Sequence, residues 1–168
     1  FIAPEILNIM APESYGKALL IFPAIAASIF FNSMYLYFAN FESYYEKPAY
    51  FSVATTIGAV TNIVLNYIFI PIWGFAVAGY TTLICYMLFA FMHYIFMRKI
   101  CKKELNNVKP FDSKFIVILS IIVLLITIGV TYLYDYIFIR YVVILIGLIY
   151  CIIKRKKINT IIKNFYKK

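Results

Sequence analysis

Charge is scarce in this sequence. Asp, Glu, Lys and Arg make up 14% of it, against 64% hydrophobic residues, where soluble domains run at about 25% and about 45–50%. With a mean hydropathy of +0.88, the chain is built for a bilayer rather than for water. Acidic residues are scarcer still: the seven are Glu5, Glu13, Glu42, Glu46, Glu104, Asp112 and Asp135, and hydropathy places each in a loop or at a span end. No span is therefore expected to bury a carboxylate, and no site for coupling to protons or cations is expected, because such sites normally need an ionisable group inside the membrane. The single histidine, His93, falls within a turn of a span end and reads as interfacial. Paired carboxylates, a nucleophile with its base, metal-ligand spacing and a glycine-rich phosphate loop are all missing, which argues against an enzyme and calls for no cofactor and no metal. Cys85, Cys101 and Cys151 are too few and too scattered for a disulfide framework and read as interior filler.

What the sequence has in abundance is long apolar runs. Crossing about 30 Å of hydrocarbon takes about 20 helical residues, and five segments qualify or nearly so: 18–39, 49–70, 74–96, 115–134 and the shorter 137–153. Ile118–Ile128 and Val142–Ile149 are nearly continuous aliphatics, unlike the alternating strands of an outer-membrane barrel. The expected fold is all-α, a polytopic bundle of transmembrane helices. The opening FIAPEILNIM resembles the tail of an earlier span, so residues 1–10 are expected to end a preceding helix and the chain to be the C-terminal part of a longer protein.

The net charge of +9 is distributed on one side of this topology. Six of the 16 Lys and Arg lie in 97–114, seven in 154–168, and Lys47 makes fourteen; only Lys17 and Arg140 fall on the opposite side. By the positive-inside rule the loops 40–48 and 97–114 and the tail 154–168 are cytoplasmic. A juxtamembrane basic tail attracts anionic lipid, so membrane lipid rather than nucleic acid is its expected partner. The outer connections, Pro71-Ile72-Trp73 and Asp135-Tyr136, leave no room for an external domain.

Within the spans, Pro48 opens the second and Pro71 is expected to close it, while Pro23 lies a turn inside the first and is a candidate kink or hinge. Tyr44, Tyr45, Tyr50, Trp73, Tyr132, Tyr134 and Tyr136 cluster at span ends, where amphipathic rings anchor helices. Ala54, Gly58, Asn62 and Asn66 form a stripe at four-residue spacing, matched on the third span by Gly74, Ala78, Thr82 and Cys85, which predicts a close antiparallel hairpin. Ser28, Asn32 and Tyr35 share one face of the first span. Amides in hydrocarbon need partners or water, so Asn32, Tyr35, Asn62, Asn66 and Thr82 are candidates either for helix-to-helix hydrogen bonding or for lining a polar cavity.

Three stretches carry a family resemblance: APEIL at 3–7 with Tyr15, FFNSMYLYFANFESYYEK at 30–47, and TNIVLNYIFIPIWGFAVAGYTTLICY at 61–86. Together they resemble the later half of bacterial Wzx-type oligosaccharide flippases, of the multidrug/oligosaccharidyl-lipid/polysaccharide exporter superfamily. The carrying residues are Asn62, Asn66, Pro71, Gly74, Ala76, Ala78, Gly79 and Thr82. Residues 111–168 match only as apolar spans with a basic tail. The resemblance implies a transporter of about 12–14 spans in two bundles, with 11–100 supplying second-bundle helices, 111–153 two C-terminal spans, and an N-terminal bundle elsewhere in the same chain as partner. It implies alternating-access transfer of undecaprenyl-diphosphate-linked oligosaccharide across the bacterial inner membrane for polysaccharide or O-antigen synthesis. A drug or cation antiporter of the same superfamily and a non-catalytic membrane assembly partner are the alternatives.

Overall fold

A computed structural model describes residues 2–10, 12–108 and 110–155. Most of the basic tail, 156–168, and Lys109 lie outside the described residues. Among those described the protein is all-helical: α1 (Ala3–Met10), a 3₁₀ segment (Glu13–Leu20), α2 (Ile21–Tyr44), α3 (Pro48–Trp73), α4 (Val77–Glu104), α5 (Ser113–Leu133) and α6 (Ile137–Ile153). Four helices, Ala18–Tyr44, Pro48–Trp73, Val77–Glu104 and Ser113–Leu133, are long and apolar enough to cross a membrane, and α6 is a shorter apolar helix. This is a membrane protein.

The helices outrun the apolar segments that announce them. α2 continues past residue 39 to Tyr44, and α4 past residue 96 to Glu104. The reason for the second extension is electrostatic as well as geometric. Lys102 and Lys103 occupy the last turn of α4, where cations face the negative end of the helix dipole, so residues that hydropathy assigns to a loop extend the helix instead. α4 stops where Asn106 and Asn107 take left-handed backbone conformations, which asparagine tolerates better than most residues. Arg98 fastens that end, donating from Nη2 to Asn107 Oδ1 at 2.9 Å.

α2 ends in a Schellman turn. Lys47 N–H donates to Glu42 O at 3.0 Å and Glu46 N–H to Ser43 O at 3.1 Å, with Glu46 at φ 54° in the position usually given to glycine. Pro71 does not close α3 but sits inside its last turn, and the helix runs on to Trp73. So near the end the lost N–H removes only one bond, and Gly74, at φ 78°, restores closure by donating to Ile70 O at 2.8 Å. Pro23 lies in the first turn of α2, immediately after the 3₁₀ segment. It therefore stands at a junction between two helix types, where its missing donor is least disruptive.

α4 is the central element, packed most extensively against α2 and next against α3, while α5 lies along α2. Gly79 of α4 meets Ile21 near the start of α2, and Met97 of α4 meets Phe38 near its end, so α2 and α4 run in the same direction. Their seam is Ala24, Ala27, Phe31 and Phe38 on α2 and Leu83, Ala90, Met97 and Cys101 on α4, all buried. α3 buries Ala54 and Gly58. At Gly58 an added Cβ would come within 2.2 Å of the Phe89 ring, so the glycine sets how closely α3 and α4 approach. α5 has no fully buried residue and presents a wide aliphatic face, as a helix in lipid contact should.

Candidate functional site

Four places with polar side chains inside the apolar bundle bear on function, and they differ in how completely their hydrogen bonds are met. The first is an amide ladder between α3 and α4. Asn66 donates from Nδ2 to Asn62 Oδ1 at 3.0 Å, Thr81 donates to Asn66 Oδ1 at 2.6 Å, and Asn62 Nδ2 approaches Cys85 Sγ at 3.5 Å. The structure thus places Asn62 and Asn66 in helix packing, with each amide oxygen engaged and each amide nitrogen in contact with a partner. Their partner on α4 is Thr81, not Thr82. One residue along a helix turns the side chain by about 100°, and Thr82 faces the other side.

That other side is the second place, a cleft of about 590 Å³ between the early turns of α2 and α4. Ser28 and Asn32 line it from α2, and Gly79, Thr82 and Tyr86 from α4, among isoleucines and Phe75. The Ser28 and Thr82 hydroxyls each donate back to a helix carbonyl, Ile25 O and Ala78 O, both at 2.7 Å. The Asn32 amide is half-buried and has no hydrogen-bond partner among the described residues, so it is the group left to offer both a donor and an acceptor to whatever fills the cleft. Tyr35, one turn on, joins an aromatic cluster instead, its ring centroid 5.5 Å from Phe89 and 6.3 Å from Tyr86.

The third place overturns an expectation. Glu42 is not in a loop. It occupies the last turn of α2, fully buried, with Oε1 2.9 Å from Nδ1 of His93, itself fully buried on α4. The chain therefore does bury a carboxylate within a helix long enough to span the membrane, and its one histidine is the partner. Around the imidazole stand the rings of Tyr35 at 5.4 Å and Phe51 at 5.7 Å. Glu42 Oε2 and His93 Nε2 have no hydrogen-bond partner among the described residues. The clue in the sequence was periodicity: Ala24, Ser28, Phe31, Tyr35, Phe38 and Glu42 alternate steps of four and three, as do Tyr86, Ala90, His93, Met97 and Ile100. These are the seam positions of two helices packed side by side, and Glu42 and His93 are in register with the apolar members.

The fourth place ties the first short helix to the last. Arg140 of α6 is buried and its Nη2 donates to Glu5 Oε1 of α1, which also accepts from the Tyr141 hydroxyl at 3.0 Å. Among the described residues no group of three or more His, Cys, Asp or Glu could hold a metal ion. No family model, curated protein or solved structure matches the chain.

Proposed function

We propose that this chain forms part of a membrane transporter whose α2–α4 cleft lies on the route of a polar cargo, and that the cargo is a lipid-linked oligosaccharide. The observation that carries this reading is the unpartnered Asn32 amide facing the cleft beside Ser28 and Thr82. An amide in hydrocarbon is costly unless it meets a partner or water, and a sugar hydroxyl supplies both a donor and an acceptor. The family resemblance in 3–100 supports the cargo class, and the charge distribution supports the orientation: the Glu42 end and the basic tail in the cytoplasm, the Pro71–Gly74 turn outside. On this reading α6 is the fifth span, the five belong to a transporter of about 12–14 spans in two bundles, and the setting is the bacterial inner membrane.

The test is exposure of lipid-linked repeat units at the outer leaflet of cells carrying the full-length protein. Asn32→Leu, expressed to the wild-type level, is expected to lower exposure several-fold, with Asn62→Leu acting only through stability. Undiminished exposure in Asn32→Leu cells would sink the assignment of the cleft, and undiminished exposure in cells deleted for the gene would sink the cargo. The buried Glu42–His93 pair favours a second reading, a cation-coupled antiporter for drugs, in which deletion abolishes resistance to toxic compounds and leaves surface glycan intact. An assembly partner without transport activity would change neither.

A further inference from the structure

The pair between Glu42 and His93 is more than a structural clasp. A carboxyl and an imidazole in contact can share zero, one or two protons. With none the pair is an anion and with two a cation, and either is penalised where water is excluded. With one proton the pair is neutral, as an ion pair or as a carboxylic acid against a neutral ring, and the 2.9 Å contact between Oε1 and Nδ1 is retained in both forms. Neither neutral form satisfies the site. The second carboxyl oxygen and the second ring nitrogen remain buried without partners, whereas the amides of the α3–α4 ladder, a few turns away, are engaged. Leaving such atoms unmet is costly, and that cost is removed when the two helices part and water reaches them.

Among the described residues no other charge pairs with Glu42 or His93. From α2 the titratable neighbour is Tyr35, 5.4 Å from the imidazole; from α3 the contact is the uncharged Phe51, while Tyr50 stacks on Phe96 at 4.7 Å. On α4, Arg98 is directed to Asn107 and Lys99 lies over the Phe96 ring. Lys47 bridges to Glu104 at 3.7 Å beyond the end of α2. Glu42 stands in the last turn of its helix, so the path from solvent is short once the aromatic cover moves.

We propose that Glu42 and His93 form a proton-binding site across the α2–α4 seam, which holds one proton while the helices are closed and exchanges it with water when they separate. The transport reading supplies the reason for the helices to separate; proton binding itself does not depend on it. The experiment is infrared difference spectroscopy of the full-length protein in lipid nanodiscs, titrated with pH and repeated in deuterated water, with no lipid-linked substrate added. A titrating protonated-carboxyl band coupled to imidazole bands is expected, the carboxyl band being lost in Glu42→Gln. In His93→Gln the imidazole bands coupled to the carboxyl band are expected to be lost. Glu42→Asp, which keeps a carboxyl at the site, carries the assignment if Glu42→Gln does not fold, since the coupled band is then expected to shift while the bands of the other carboxyls stay. Absence of a titrating carboxyl band coupled to imidazole bands in the wild type overturns the site, as does an undiminished coupled band in folded Glu42→Gln. Neither result bears on the cargo, which the outer-leaflet assay decides separately.

Discussion

α4 carries polar partners on two faces, and the two faces are built differently. Toward α3, Asn62, Asn66 and Thr81 form a neutral ladder in which each amide oxygen accepts a hydrogen bond. Toward α2, Glu42 and His93 form an ionisable pair with one atom of each left without a partner. A satisfied neutral network holds two helices in one arrangement. An under-satisfied ionisable pair is a poor way to do the same, because apolar residues of similar volume would pack there at no electrostatic cost. The difference suits the α3–α4 face to holding two helices in place and the α2–α4 face to the proton exchange proposed above.

The largest effect that sharpens this contrast is expected from breaking the pair on one side. His93→Ala leaves a buried carboxylate alone and should cost about 3–5 kcal/mol, read as a lower melting temperature of the full-length protein in detergent. The double variant Glu42→Met/His93→Leu should recover that loss, and a double variant as unstable as His93→Ala would mean that the pair is structural after all.

Gly58→Ala comes next. Its Cβ drives into the Phe89 ring, which is packed against Tyr35, Tyr86 and His93, and overpacking of this kind costs about 1–3 kcal/mol. Wild-type stability in Gly58→Ala would show that the ring swings aside freely and that the two faces of α4 are not coupled through it.

Within the ladder, Asn66→Leu should cost about 1–2 kcal/mol and Asn62→Leu about 0.6 kcal/mol, since Asn66 both donates and accepts a short bond while the donor contact of Asn62 is a long one to sulfur. Equal losses would mean that the sulfur contact counts for more than its geometry suggests. Lys47→Ala, which removes a half-exposed bridge to Glu104 and touches neither face, should change stability by less than about 1 kcal/mol. It sets the baseline for the other three.

Much of the bundle was legible in the sequence, for reasons that the individual residues make plain. Apolar length gave the helices, and the four-residue spacing of Ala54, Gly58, Asn62 and Asn66 gave the face that meets α4. The helix ends were not legible from hydropathy because hydropathy scores the side chain and not the backbone: Lys102 and Lys103 are polar yet favour the end of a helix, and Ser43 and Tyr44 continue α2 into a Schellman turn. That single error hid the most informative feature. Once α2 is ended at residue 39, Glu42 falls in a loop and His93 loses its partner. Thr82 was misassigned to the α3 face because the small-residue pattern 74, 78, 82 fits two adjacent registers, and only the Thr81–Asn66 bond decides between them.

Thr81 and Thr82 also limit how α4 can move. Adjacent on the chain, they point to different neighbours, one into the amides of α3 and the other into the cleft beside α2. Any roll of α4 about its own axis would withdraw Thr81 from Asn66 as it carried Thr82 past Asn32. A helix gripped in this way on one side keeps its freedom to tilt or to travel as a rigid pair with α3, but rotation in place is denied to it. If the cleft opens as the transport proposal requires, displacement along the α2 seam with α3 and α4 moving together is the motion that would keep the Thr81–Asn66 bond.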